Sequence, residues 1–157
     1  MSYERHNIKL VTKDLQKFVI NTPVLRFDII DSLCNCNVFF KCENFQHTGS
    51  FKYRAAINAI KNMPVEFRQT GVITHSSGNF AHALAKAAYE LKIPCHIVMP
   101  NNTPNFKKSS VLSYTKNVIE CESNLKAREF TTSEIIKNKN LYFIHPSNNM
   151  DVILGNS

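Results

Sequence analysis

Between residues 71 and 144 the apolar and polar positions repeat in one order: a short β-branched run, then a longer amphipathic run, then a short run again. Gly71-Val72-Ile73-Thr74-His75 predicts a strand. Asn79 to Lys92 (NFAHALAKAAYELK) predicts an Ala/Leu-rich amphipathic helix. Pro94 to Met99 predicts a second strand. Asn105 to Tyr114 predicts a helix, with Pro104 as its start signal. Asn117 to Cys121 predicts a third strand. Ser123 to Lys137 predicts a helix that opens on Ser and closes on basic residues, as the helix dipole favours. Leu141 to Ile144 predicts a fourth strand. Strands alternating with single helices require right-handed crossovers, hence a parallel sheet with helices on its faces. The expected class is α/β, a three-layer α/β/α arrangement.

The N-terminal portion follows another pattern. Pro23 pushes Thr22 out of the α region, so Thr22-Pro23-Val24-Leu25 is expected to be extended. Phe27 to Leu33 predicts a short helix and Val38 to Glu43 a strand. Ser50 to Met63 predicts a helix with apolar positions at Ala55, Ala56, Ala59, Ile60 and Met63, closed by Pro64. After the fourth strand, Ser147 to Ser157 reads as helical.

Composition adds bounds. The 157 residues suffice for one domain with a real core, and a hydrophobic fraction of 43% with only four Gly argues against disorder. No internal repeat is visible. The start, Met1-Ser2-Tyr3-Glu4-Arg5-His6, is charged where a secretory signal turns apolar. The best apolar run is broken by Lys86, Glu90 and Lys92, so no membrane span is expected. Five cysteines without a CxxC pair suit a reducing, cytoplasmic setting with buried neutral thiols, Cys42 among them as a strand thiol. The six histidines (His6, His47, His75, His82, His96 and His145) match no zinc spacing. Each is read as a surface or satisfied core residue, and no metal site is expected. The net charge of +7 is spread along the chain, so nucleic acid is not expected as a partner.

Two windows carry chemistry. In Thr48-Gly49-Ser50-Phe51-Lys52-Tyr53-Arg54 a Gly-containing loop delivers Lys52 into the first turn of a helix. The positive end of the helix dipole there disfavours an ammonium, which favours a nucleophilic amine able to form a Schiff base with an aldehyde. The second window, His75-Ser76-Ser77-Gly78-Asn79, joins the first strand of the alternating region to its first helix. Ligands of open parallel sheets bind at such turns, and two hydroxyls, a flexible backbone position and an amide suit a carboxylate or phosphate. Helix capping by Ser and Asn accounts for the same residues equally well.

Together, Lys41-Cys42-Glu43-Asn44-Phe45-Gln46-His47-Thr48-Gly49-Ser50-Phe51-Lys52 and His75-Ser76-Ser77-Gly78-Asn79 closely resemble the pyridoxal-phosphate enzymes of the tryptophan-synthase-β fold. Within that group the chain is most similar to serine racemases and threonine/serine dehydratases. Thr22-Pro23-Val24, Ile97-Val98-Met99-Pro100 and His145-Pro146 add weaker matches. The resemblance runs from about Lys9 to Ser157.

The resemblance implies pyridoxal 5'-phosphate as cofactor and a small amino acid, serine or threonine, as substrate. It implies that Lys52 holds the cofactor as a Schiff base and moves the α-proton on one face, with Ser77 as the second acid/base on the other. It implies further that Phe51 packs on the cofactor ring, that Asn79 bonds its phenolic oxygen, and that Ser76, Ser77 and Gly78 hold the substrate carboxylate. Reprotonation gives racemisation, and loss of a β-hydroxyl gives dehydration. The implied domains are residues 1–63 as the N-terminal part of a large cofactor domain, 64–146 as a complete small β/α domain, and 147–157 as a return into the incomplete large domain. A homodimer is implied because members are commonly dimers.

Some positions depart from the family pattern. Phe80 replaces a His beside the loop, where it is positioned to reshape the pocket, and His82, Ala83, Ala55, His47 and Ser147 also differ. The resemblance places the glycine-rich phosphate loop, the group facing the pyridine nitrogen and the acidic cation sites beyond Ser157. The apolar faces of the Val38 strand and the Ser50 helix are therefore expected to lie uncovered. A catalytically inactive truncated form, acting through association with a full-length subunit, is the alternative reading.

Overall fold

The computed structural model describes residues 5–157; Met1 to Glu4 of the charged start lie outside the described residues. The elements in chain order are α1 (Arg5–Leu15), β1 (Val24–Leu25), α2 (Asp28–Cys34), β2 (Phe40–Lys41), α3 (Lys52–Asn62), β3 (Val72–His75), α4 (Asn79–Glu90), β4 (Cys95–Pro100), α5 (Asn105–Leu112), β5 (Asn117–Cys121), α6 (Leu125–Lys139), β6 (Tyr142–Phe143) and α7 (Met150–Gly155). Short 3-10 turns at Glu43–Phe45, His47–Gly49 and Val65–Phe67 link some of them.

The alternating region forms one parallel sheet in the order β5-β4-β3-β6. Register is set by Val72 opposite Cys95 and Tyr142, and by Ile97 opposite Val118. All residues of β3 and β4 are buried, as expected of central parallel strands covered on both faces. Successive side chains alternate between two cores. Val72, Ile97 and Met99 belong to the larger core with α3, α4 and Val111 of α5. Ile73 and Val98 point to the other side, against Ile135 and Ile136 of α6. Helices thus cover both faces, and the α/β, three-layer expectation is met.

The N-terminal portion departs from expectation in two ways. The strand expected over residues 38–43 shrinks to β2, which pairs antiparallel with β1 as a two-stranded ribbon, Val24 opposite Lys41. Helix α3 is not left uncovered. It packs between α4, α7 and α1, and Tyr53, Ala55, Ala56, Ile57, Asn58, Ala59 and Ile60 are all buried. Burying each Ile side chain contributes about 1.5–3 kcal/mol. The return helix α7 supplies the cover, because Gly155 lets its backbone close on α3; a Cβ there would lie 2.8 Å from Ala55 Cα. The expectation of an uncovered face does hold for the segment around β2, where Phe39 and Phe40 face solvent together with Val24 of β1 and Ile29 and Leu33 of α2.

Other expectations fail locally. Only Cys95 is a buried thiol; Cys34 and Cys36 are exposed, and Cys42 sits half-buried just past β2. Cys42 turns its Sγ to the carbonyl of Phe40, a local contact that leaves it outside the core. His75 and His96 are core residues as read, but neither Nδ1 has a partner, so they are not satisfied. Among the described residues no group of three or more His, Cys, Asp or Glu is arranged to hold a metal ion, and no helix is long and apolar enough to cross a membrane.

Candidate active site

Lys52 is the first residue of α3, as its window predicts. The chain reaches it through two consecutive left-handed residues, Thr48 at φ 62° and Gly49 at φ 71°, which reverse the backbone; Ser50 then returns to extended geometry. That turn is held from behind. Gln46 is buried, its Oε1 accepts from the N–H of Ile20 and its Nε2 donates to the carbonyl of Ile20, both at 2.9 Å. Thr22 donates its hydroxyl to Glu43 at 2.7 Å, and Lys41 donates to the Thr22 carbonyl at 2.7 Å. The Thr22-Pro23 segment is thereby tied to the lysine motif.

The side chain of Lys52 is half-buried, and among the described residues no ion pair includes it. Its Nζ lies 4.8 Å from the centroid of the exposed Phe51 ring. The hydroxyls of Thr48 and Ser50 are buried without hydrogen-bond partners. Unpaired buried hydroxyls carry a desolvation cost, which a polar ligand relieves.

Ser76 to Gly78 connect the carboxyl end of β3 to α4. Ser76 continues the sheet, its N–H donating to the Val98 carbonyl at 3.0 Å, and its Oγ accepts from the Gly78 N–H at 3.3 Å. No side chain caps α4, so its first N–H groups remain available at the positive end of the dipole. Gly78 and Asn79 are exposed, and open space surrounds the position a Cβ of Gly78 would take. Phe80 does not enter this space. It is buried at 3% exposure in the α3–α4 core, so the departure at that position is absorbed by packing.

The two motifs therefore sit on one packed helix pair, the turn before Lys52 against the body of α4 and Ser76–Asn79 at the start of α4. No hydrogen bond joins them among the described residues. A free amine, orphaned hydroxyls and an open N–H cradle are the groups that an aldehyde-bearing, phosphorylated ring and an amino-acid carboxylate require. The residues present thus fit pyridoxal phosphate. A cavity of about 200 Å³ adjoins Phe51, lined also by Lys41, Glu43 and Arg54. A larger one of about 610 Å³ opens along α1 and is lined, of the two motifs, by Lys41 and Arg54 alone. Nucleophile and cradle, rather than volume, mark the site.

Two further features lay outside the sequence reading. Behind the Ser76 turn, the rings of His75 and His145 meet edge to face at 5.4 Å, and Phe143 lies tilted against His75 at 5.4 Å and edge to face with His145 at 5.9 Å. Burial pushes the His75 imidazole below its usual range, and nearby His145 and Arg128 add to that. The Nδ1 of His145 accepts from the N–H groups of Ser147 and Asn148, which fixes the turn into α7. The second feature is a contact from Tyr53 to Glu90, across 37 positions, for which no sequence spacing gives a signal.

A family profile described as "Pyridoxal-phosphate dependent enzyme" matches residues 15–157. The serine racemase of Dictyostelium discoideum is 40% identical over 149 residues, which is 95% of this chain and 46% of that protein. The beta-hydroxyaspartate dehydratase of Paracoccus denitrificans is 39% identical over 141 residues, 90% of this chain and 45% of that one. Among solved structures, the Dictyostelium serine racemase superposes with a TM-score of 0.89 at 39% identity, covering 96% of this chain and 49% of that chain. The processed form of threonine deaminase isoform 2 from Solanum lycopersicum superposes at 0.84 with 26% identity, covering 99% and 44%. The chain spans about half the length of the curated relatives it matches.

Proposed function

The chain belongs to the family of pyridoxal-phosphate-dependent enzymes, and from that membership we propose that it forms the lysine-bearing part of a site for racemisation and β-elimination of serine or threonine. The observation that carries this reading is the pairing of Lys52, at the start of α3, with the uncapped Ser76–Asn79 turn at the start of α4. The activities of the two relatives, a serine racemase and a beta-hydroxyaspartate dehydratase, support the same pair of outcomes.

On this reading Lys52 would hold the cofactor through its Nζ until the substrate amine displaces it and frees that Nζ as a base, with Phe51 against the cofactor ring and Asn79 bonding to the ring oxygen. When bound, the cofactor supplies the electron sink for the pair left on the substrate α-carbon. Ser76, Ser77 and Gly78 hold the substrate carboxylate, with the α4 N–H groups and helix dipole favouring its charge. Lys52 takes the α-proton on one face and Ser77 returns one on the other, which inverts the centre. Loss of the β-hydroxyl instead gives dehydration. The orphaned Thr48 and Ser50 hydroxyls offer donors to the anionic end of the cofactor. The domain division at residues 63 and 146, a cytoplasmic location and a homodimer belong to this reading.

Absorbance with added pyridoxal phosphate tests it. The expected result is a visible band from the lysine-bound cofactor. Borohydride reduction should then fix the cofactor mass on the peptide that contains Lys52. Lys52→Ala should abolish both signals while changing folding stability by no more than roughly ±0.5 kcal/mol, as is usual for a side chain without an ion pair. Labelling of another lysine, or a band that survives Lys52→Ala, refutes the assignment.

A further inference from the structure

Helix α3 begins with Lys52 and α4 begins with Asn79, so whatever fixes one helix on the other also fixes the relation between the two motifs. The buried residues of this pair include many alanines, Ala56 and Ala59 on α3 and Ala81, Ala85 and Ala88 on α4, each at most 1% exposed, beside the larger Ile57, Ile60, Phe80 and Leu84. Alanine surfaces permit close approach but define rotation less sharply than large side chains do. One polar chain adds a directional contact at the end of the pair. Tyr53 is 1% exposed, and its hydroxyl donates to the carboxylate of Glu90 at the last turn of α4. Lys86, one turn earlier, donates to the same carboxylate at 2.6 Å. The ring of His47, in the turn before Lys52, meets the Tyr53 ring edge to face at 4.8 Å. Lys86 also lies over the Tyr114 ring, at 5.5 Å.

Burial, reinforced by Glu90, keeps the Tyr53 hydroxyl protonated far above the usual tyrosine range. Burial also pushes the Glu90 carboxyl up, but the hydrogen bonds from Lys86 and Tyr53 outweigh it and hold the group below its usual range. Donor and acceptor therefore keep complementary states near neutrality. Tyr53 follows Lys52 directly, about 100° further round α3. Pinning Tyr53 on α4 sets the direction in which Lys52 leaves the helix.

We propose that Tyr53, Glu90 and Lys86 form a positioning latch that sets the rotation of the Lys52 helix on the helix that presents Ser76–Asn79. The latch presupposes the reading of Lys52 and Ser76–Asn79 as one site. Tyr53 is buried while Glu90 is exposed, so the contact closes the rim of the helix pair, and polar contacts of this kind help to fix register between packed elements.

Tyr53→Phe keeps the ring and removes the hydroxyl; Glu90→Gln keeps the shape and removes the charge. Two measurements on both singles and the double variant test the latch. The first is the set of backbone amide resonances of Lys52 and Asn79 in protein without cofactor. Asn79 lies about 16 Å from Glu90 along α4, beyond a local effect of the substitution. Both amides should shift in each single variant, and the double should shift by less than the sum of the two singles because they share the Tyr53–Glu90 contact. The second is titration with pyridoxal phosphate read at the visible band. Apparent affinity should fall about tenfold, within what one hydrogen bond to a charged group supplies. Val111→Ala, a core change on α5, should lower the melting temperature without moving either readout. The latch is overturned if Tyr53→Phe leaves the Asn79 amide unmoved, or if Val111→Ala loosens the cofactor as much as Tyr53→Phe does. Wild-type protein that takes up no cofactor defeats the functional reading alone, and the amide shifts then decide the latch.

Discussion

Gly71→Ala is expected to be the most damaging single methyl in the sheet. Gly71 sits at φ +103°, a conformation that L side chains rarely adopt. A Cβ built there lies 2.2 Å from the Pro94 carbonyl oxygen and 2.7 Å from Pro94 Cβ. Pro94 cannot yield freely, since its carbonyl accepts from the Val72 N–H at 2.8 Å. Gly71 is tied as well, its carbonyl accepting from the Tyr142 N–H at 2.9 Å. A shift of either partner therefore strains the start of β3 against β4 and β6 together. The unfavourable φ costs about 1–3 kcal/mol, and the overpacking about 1–3 kcal/mol more. The sum, about 2–6 kcal/mol, is a large part of the roughly 5–15 kcal/mol that holds a domain together. At about 2–4 °C per kcal/mol for a chain of this size, the melting temperature should fall by roughly 5–20 °C. The assay is thermal unfolding followed by circular dichroism, with Gly78→Ala as the internal control. Gly78 has open space around it and φ −113°, so the same methyl should cost no more than about 1 kcal/mol there, the scale of a poorer helix cap. A Gly71→Ala protein that melts within about 2 °C of wild type, or no lower than Gly78→Ala, would refute the steric account.

The remaining expectations concern a cap and two kinds of titrating group. Asn124 Oδ1 accepts from the Ala127 N–H at 2.7 Å at the start of α6, so Asn124→Ala should cost about 1 kcal/mol, read as a drop of about 2–4 °C in melting temperature. Burial holds the imidazoles of His75, His82 and His96 below their usual range. The unfolded chain therefore takes up these protons first. Stability is fully present above the ordinary histidine value of about 6.5 and falls as pH drops below it, and His96→Leu should shrink the difference in melting temperature between about pH 7.5 and pH 5.5. The depressed Glu90 carboxyl stabilises the fold above the ordinary carboxylate range and loses that contribution as pH falls through its lowered value, so Glu90→Gln should flatten the decline between about pH 5 and pH 3.

The alternating half of the chain was legible because local and global preferences agree there. The expected short strands became β3 to β6, and the expected helices became α4 to α6, with boundaries that match or shift by at most two residues. Lys52 and Ser76–Asn79 were legible because their positions depend on local turn geometry, a left-handed pair before one helix and a strand end before the other. What failed depends on partners distant in sequence. Val38 to Glu43 has strong strand propensity, but only Val24 and Leu25 are available to pair, so two residues form the ribbon. Helix α3 is covered because Gly155 admits α7, and nothing near α3 in sequence announces a helix from residue 150. Helix α6 is amphipathic only weakly, and its burial against Ile73 and Val98 follows from the crossover handedness rather than from its own pattern. The contact from Tyr53 to Glu90 has no periodic signature at all, since each residue reads alone as an ordinary helix position.

The order β5-β4-β3-β6 bears on how the chain assembles as it is synthesised. Strand β3 pairs with β4 soon after both have left the ribosome, but its other edge waits for Tyr142 and Phe143. Until then one side of β3 is an open ladder just ahead of the Ser76 turn, and open edges of slow-forming parallel sheets are where nascent chains mispair. Helix α6 must cross over the sheet before β6 can dock, so the time taken to make α6 sets how long that edge stays open.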